Sequence, residues 1–132
     1  PGLQVWATVR STAARRHFPP AIVDRLICGV DVENADTLNQ IVARVRPSVV
    51  INCIGLIKQL AAANDPLAAL PINALLPHRL ARLCDVARAR LIHVSTDCVF
   101  SGQRGHYVET DTADATDLYG RSKHLGEVYY PH

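Results

Sequence analysis

The 132-residue sequence has no methionine, only 5% aromatic residues, and no C-x-x-C, H-x-x-x-H or H-E-x-x-H pattern. Without ligand spacing, neither a structural zinc site nor a catalytic metal is expected. The four cysteines, Cys28, Cys53, Cys84 and Cys98, are scattered, and three sit within or beside apolar runs. They are expected as small buried hydrophobes with free thiols, in a reducing, cytoplasmic setting. Long hydrophobic runs are also missing. The longest, Val49 to Ile57, is interrupted by Asn52 and falls far short of the ~20 residues a membrane span needs. No basic segment followed by an apolar stretch opens the chain, so neither a secretory signal nor a membrane partner is expected. Charge of one sign is absent as well: 14 Lys and Arg against 12 Asp and Glu leave a net charge of +2. The arginines are scattered rather than striped, which argues against a nucleic-acid surface. With 48% hydrophobic residues a disordered segment is excluded. The chain opens Pro1-Gly2-Leu3, directly before an apolar run. That start fits a removed initiator, or a piece of something larger.

What is present alternates between strand and helix patterns. Leu3 to Val9 reads as a strand, and Arg25 to Val32 as a short second one reaching the acid Asp31. Asn34 to Thr37 carries a helix-start signal, followed by Leu38, Ile41, Val42 and Val45 on one face and stopped by Pro47. Ser48 to Ile54 is unbroken and apolar, as expected of a strand buried on both sheet faces. Ile72 to Ala89 reads as an amphipathic helix through Ile72, Leu75, Leu76, Leu80, Leu83 and Ala87. Leu91 to Ser95 is another buried strand, and His93 within it is expected as a satisfied core residue. A last helix opens near Asp117 and runs toward Tyr130, with Pro131 as its stop. The order predicts an α/β fold on a parallel sheet. In such sheets ligands sit at the carboxyl ends of the strands, which directs attention to Arg10, Asp31, Cys53 to Gly55, and Ser95 to Asp97.

Two places there have the right residue types for chemistry. Tyr119 and Lys123 are four apart, one turn apart on the same helix face. An ordinary tyrosine, with a pKa near ~10, is a poor acid–base group, and a cation beside it stabilises the phenolate. An exposed Tyr–Lys pair is the plain alternative. Gly120 and Gly126 in the same helix each cost ~1 kcal/mol relative to Ala, so something is expected to approach that backbone closely. Thr96, just past a strand, has a hydroxyl suited to donate to a substrate oxygen. Capping of the loop backbone by the same hydroxyl is the alternative.

Longer stretches decide between these readings. VVINCIG (Val49 to Gly55), PINALLPHRLARLC (Pro71 to Cys84), LIHVSTDCVFSG (Leu91 to Gly102), Tyr107 to Asp111 and DLYGRSKHLGE (Asp117 to Glu127) follow one another in order. Together they resemble the extended short-chain dehydrogenase/reductase superfamily, specifically its dTDP-4-dehydrorhamnose reductase-like (RmlD-like) sugar-nucleotide branch. The resemblance implies a doubly wound, Rossmann-type NAD(P)-binding sheet. It implies Tyr119 as proton donor, Lys123 as the partner that lowers its pKa and holds the nicotinamide ribose, and Thr96 as the hydroxyl polarising the substrate carbonyl. By the same carry-over Cys53, Ile54 and Gly55 lie along the cofactor, and Asn73 orders the site. Asp31 and Val32 match the pair whose acid reaches the adenine. Arg10 ends the strand that selects between cofactors, and a cation there favours NADP over NAD.

Two departures accompany the resemblance. Cys98 replaces the family's usual aromatic after S-T-D, which leaves the sugar nucleotide open. No G-x-x-G-x-x-G precedes Leu3. Residues 1–132 are therefore expected as a fragment of the NAD(P)-binding domain, a partial doubly wound sheet without its first strand, its glycine-rich loop or a substrate-binding lobe. Such a fragment is expected to bind cofactor weakly, lacking a phosphate cradle. The function implied is reduction of a 4-keto sugar nucleotide, in a parent for which a homodimer is left open. Cell-envelope polysaccharide synthesis is the implied setting. An NAD-dependent epimerase or dehydratase, a non-catalytic cofactor-binding regulator, and an inactive truncated product are the alternatives.

Overall fold

The structure is a computed structural model and describes residues 2–129. The chain divides into two units, one up to residue 46 and one from residue 47. In the first, β1 (Ala7–Val9) pairs in parallel with β2 (Leu26–Cys28), Ala7 facing Leu26. Between them run a 3₁₀ turn (Thr12–His17), capped by the Ser11 hydroxyl, and the short helix α1 (Pro20–Val23). The strands are shorter than the apolar runs that announce them, because only the paired residues enter the ladder. Helix α2 (Ala35–Val45) starts where its cap does: the Asn34 side chain accepts from the Thr37 N–H at 3.1 Å. Its expected apolar face, Leu38, Ile41, Val42 and Val45, is half-buried. Arg46 ends it in the left-handed region (φ 48°), directly before Pro47.

The second unit starts with β3 (Val49–Asn52), followed by a 3₁₀ turn (Ala61–Asn64) and α3 (Pro66–Ala69). A π-helical turn (Leu70–Leu75) then leads without a break into α4 (Leu76–Ala87). β4 (Arg90–His93) returns parallel to β3, Asn52 facing His93. After the 3₁₀ turn Asp97–Val99 and a long polar loop comes α5 (Leu118–Leu125). Leu76, Leu80, Cys84 and Val99 form the apolar core of this unit with Ala63, Ala69 and Ala74.

Several expectations change here. β3 and β4 are not buried on both faces: Val49, Ile51, Cys53, Ile92 and Val94 are exposed, Ile51 by 63%. Side chains alternate across a strand, and only the Val50, Asn52, Leu91 and His93 face is covered. The four strands, by contrast, pair as expected of a partial doubly wound sheet without its first strand: β1 with β2, and β3 with β4, as two two-stranded sheets. Of the cysteines only Cys84 is buried; Cys53 is exposed and the other two are intermediate, all as free thiols. The last helix stops at Leu125 with Gly126 as its cap, and the expected stop at Tyr130–Pro131 lies outside the described residues. Leu75, expected on the buried helix face, is 48% exposed, because it lies in the π turn, where the wider helix rotates the stripe. Among the described residues, no helix is long and apolar enough to cross a membrane, and no cluster of His, Cys, Asp and Glu has metal-site geometry.

Candidate active site

The end of β3 is built on two asparagines. Asn52 is buried, its Oδ1 accepting the Ile54 N–H at 3.1 Å and its Nδ2 donating to His93 Nδ1 at 3.1 Å. The loop Cys53 to Gly55 is thereby fixed while Cys53 and Ile54 stay exposed. Asn73, in the π turn, is fully buried. It accepts the Leu56 N–H at 2.8 Å and donates Nδ2 to the Leu56 carbonyl and the Ser122 Oγ, both at 3.1 Å. π turns inside helices often accompany functional sites. Here the turn aims one side chain at both the loop and α5. Asn73→Ala is expected to destabilise this protein by about 2 kcal/mol or more, since it orphans groups of Leu56 that cost roughly 1–3 kcal/mol each when unpaired. Urea denaturation of the variant measures this.

Helix α5 carries Tyr119 and Lys123. Asp117 caps it through the Gly120 N–H at 2.7 Å. Tyr119 is half-buried, whereas Lys123 is only 5% exposed, its Nζ donating to the Val94 carbonyl at 3.0 Å. The Tyr–Lys pair is therefore not a pair of solvated side chains, because its cation is drawn under the end of β4. Burial pushes the Lys123 ammonium below its ordinary value, against the pull of Glu127. Gly55 faces the same ammonium: a Cβ on it would lie 3.3 Å from Asn73 Oδ1 and 3.7 Å from Lys123 Nζ. The two helix glycines have the expected cause. A Cβ on Gly120 would come within 2.2 Å of the Cys98 carbonyl oxygen, and one on Gly126 within 2.0 Å of that of Asn73.

At the end of β4, Thr96 plays the capping part: its Oγ1 accepts the Cys98 N–H at 3.2 Å and donates to Asp97 Oδ1 at 3.3 Å. Beside it, Ser95 Oγ donates to Glu127 Oε1 at 2.7 Å. Glu127 Oε2 takes the Tyr129 hydroxyl at 2.6 Å and sits 3.2 Å from His124 Nδ1. Burial raises the Glu127 carboxyl, but these bonds, led by Ser95, outweigh it and leave it below its ordinary value. His93 is half-satisfied, its Nε2 buried without a partner, and burial followed by the Lys123 charge lowers its pKa. Both shifts act in one direction. The unfolded chain takes up protons first at each group, so stability falls as the pH drops through the ordinary histidine range near ~6.5 and then the carboxylate range. Thermal melts between about pH 7 and about pH 5 are expected to show this fall, its upper part flattened by His93→Gln.

The site residues expected at this end, Cys53, Ile54, Gly55, Asn73, Thr96, Tyr119 and Lys123, all belong to the unit starting at residue 47. Asn73, Gly55 and Lys123 are close neighbours. Arg10, Asp31 and Val32 belong to the first unit. Arg10 is exposed just past β1, and Asp31 accepts the Glu33 N–H in a turn just past β2. Asn52, Ser122 and Glu127 were not singled out from the sequence. The one available signal for Asn52 is a polar residue inside an otherwise apolar strand.

Comparison with known proteins gives this arrangement its relatives. The family described as the RmlD substrate binding domain matches residues 2–130. A dTDP-4-dehydrorhamnose reductase of Burkholderia thailandensis is 33% identical over 93% of this chain and 40% of its own. One of Mycobacterium tuberculosis is 43% identical over 60% of this chain and 28% of its own. The crystal structure of a dTDP-4-dehydrorhamnose reductase from Bacillus anthracis, in complex with NADP, superposes with a TM-score of 0.71 at 26% identity. It covers 91% of this chain and 46% of that one. The chain thus spans less than half the length of these relatives, and its fold is a portion of their Rossmann-type α/β domain. With the family matched along nearly its whole length, the chain belongs to the RmlD-like, dTDP-4-dehydrorhamnose reductase-related branch of the extended short-chain dehydrogenases/reductases.

Proposed function

We propose that these residues are the catalytic part of an NAD(P)H-dependent reductase acting on a 4-keto sugar nucleotide. The observation that carries this reading is Lys123: a nearly buried ammonium, held on the Val94 carbonyl, one turn from Tyr119 on the same helix. Exposed structural lysines do not adopt such a place, because burying a cation costs free energy unless it is used or paired.

The residues fit a nicotinamide nucleotide at this end of the site. Gly55 leaves open the space beside Asn73 Oδ1 and Lys123 Nζ that a Cβ would enter. Lys123 and the Cys53 to Gly55 loop would hold the nicotinamide ribose. The first unit, taken by itself, offers Asp31 and Val32 for an adenine and Arg10 for a 2′-phosphate, the roles the family resemblance implies. The Arg10 cation, together with the NADP complex of the Bacillus anthracis relative, supports NADP. When bound, the nicotinamide supplies the hydride.

The chain's own residues manage the oxygen. Thr96 turns its hydroxyl from Asp97 to the substrate carbonyl and polarises it. Tyr119 delivers its phenolic proton to that oxygen as the carbonyl carbon becomes tetrahedral, so the keto oxygen stays on its carbon and becomes a hydroxyl. Lys123, one turn away, stabilises the phenolate that remains. The test is to mix the full-length gene product with a dTDP-4-keto-6-deoxyhexose and NADPH and follow nicotinamide absorbance. Stoichiometric cofactor oxidation is expected. No oxidation with any 4-keto sugar nucleotide would leave the epimerase or the regulatory alternative.

A further inference from the structure

We propose that Lys58 is a positioning residue for Tyr119: its ion pair with Asp117 latches the first turn of α5 to the loop that follows β3. This deepens the reductase reading and rests on Tyr119 being the proton donor.

The geometry starts at the two ends of the pair. Lys58 lies three residues past Gly55, in the loop whose start is the candidate cofactor segment. Asp117 is the N-cap of α5, two residues before Tyr119. Its carboxylate is divided between two duties, Oδ1 accepting the Gly120 N–H at 2.7 Å and Oδ2 accepting Lys58 Nζ at 2.6 Å. The bond to Asp117 holds Lys58 protonated above its ordinary value, and the Cys98 thiol and Tyr119 phenol contribute in the same direction. Lys58, Asp117 and Cys98 also line one open cleft of about 530 Å³, with Asp97 and Phe100.

The helix is held on a second side. Ser122 Oγ donates to the Tyr119 carbonyl at 2.8 Å and accepts from Asn73, which grips Leu56 of the same loop. The loop after β3 thus grips α5 at a buried point through Asn73 and Ser122, and at a surface point through Lys58. Tyr119 sits between them in sequence. The surface grip adds little to folding: Lys58 and Asp117 side chains are 54% and 41% exposed, and such pairs contribute at most ~1 kcal/mol. Its consequence is the placement of one phenol relative to the loop.

The test uses the full-length gene product carrying 3-fluorotyrosine at position 119, with Lys58→Ala and Lys58→Arg. In Lys58→Ala the fluorine resonance is expected to shift and broaden, with an unchanged melting temperature, and Lys58→Arg is expected to restore it. Turnover in Lys58→Ala is expected to fall about fivefold in kcat with KM changed less than about twofold, as for a mispositioned group rather than lost substrate binding. A Tyr119 resonance identical in wild type and Lys58→Ala would overturn the latch. If the wild type turns over no keto sugar, the reductase reading fails, and the resonance still decides the latch.

Discussion

Replacing Tyr119 by Phe is expected to lower keto-sugar reduction by about a hundred- to ten-thousandfold in kcat, the usual worth of a positioned proton donor. The KM for the sugar nucleotide is expected to change little, because the phenol gives up its proton only in the transition state. The substitution removes one oxygen from a half-buried side chain and leaves the helix untouched, so it should fold like the wild type. Steady-state kinetics at saturating cofactor measures it. Unchanged turnover would remove Tyr119 from the role, and with it the meaning given to the buried Lys123. The result also separates an enzyme from a cofactor-binding regulator, which has no turnover to lose.

The second large effect is on the fold. Gly126→Ala is expected to destabilise by about 3 kcal/mol or more, the upper range for forcing a methyl group into a filled space. In an exposed helix the same change gains up to ~1 kcal/mol, so the sign itself is diagnostic. Gly126 caps α5 with φ −84° and ψ −6°, a conformation alanine adopts freely. The penalty is contact alone: the new methyl would lie 2.0 Å from the Asn73 carbonyl oxygen and 3.2 Å from Pro77 Cγ. Pro77 explains why that carbonyl is approached so closely. It stands four residues after Asn73, where an ordinary helix residue would donate its N–H back, and proline has none. The α5 backbone packs into the gap. Guanidinium unfolding of Gly126→Ala beside wild type reads the loss, and a neutral or stabilising result would show that the two helices can part at no cost.

These two glycines show what was legible in the sequence. Two glycines, Gly120 and Gly126, in one expected helix announce close backbone approach, and the structure supplies the partners, Cys98 for Gly120 inside α5 and Asn73 for Gly126 at its cap. The α2 cap at Asn34 and its stop before Pro47 were equally legible, since both depend on local chemistry. Burial was less so. The apolar run Ser48 to Ile54 says that both faces avoid water, but not which element covers each, and among the described residues one face is left open. The π turn at Leu70–Leu75 depends on how two prolines are accommodated in one continuous helix, which no periodicity reveals. Within the site, residue types pointed to Tyr119, Lys123 and Thr96, whereas the segments around them are fixed by Ser122 on the Tyr119 carbonyl, Asn52 on the Ile54 N–H, Glu127 on the Ser95 hydroxyl and Lys58 on Asp117. Such side chains carry no spacing signal, because their partners lie far away in sequence: 59 residues for Lys58 and Asp117, 49 for Asn73 and Ser122.

The proposed reductase moves a hydride from the nicotinamide to the keto carbon of a sugar nucleotide, and isotope transfer reads that step itself. The full-length gene product is supplied with NADPH deuterated at the transferable position and a dTDP-4-keto-6-deoxyhexose, and the sugar product is weighed by mass spectrometry. A single deuterium retained on the former keto carbon, with one cofactor oxidised per product, is the predicted result. A product without deuterium, or one formed with no net cofactor oxidation, would contradict it.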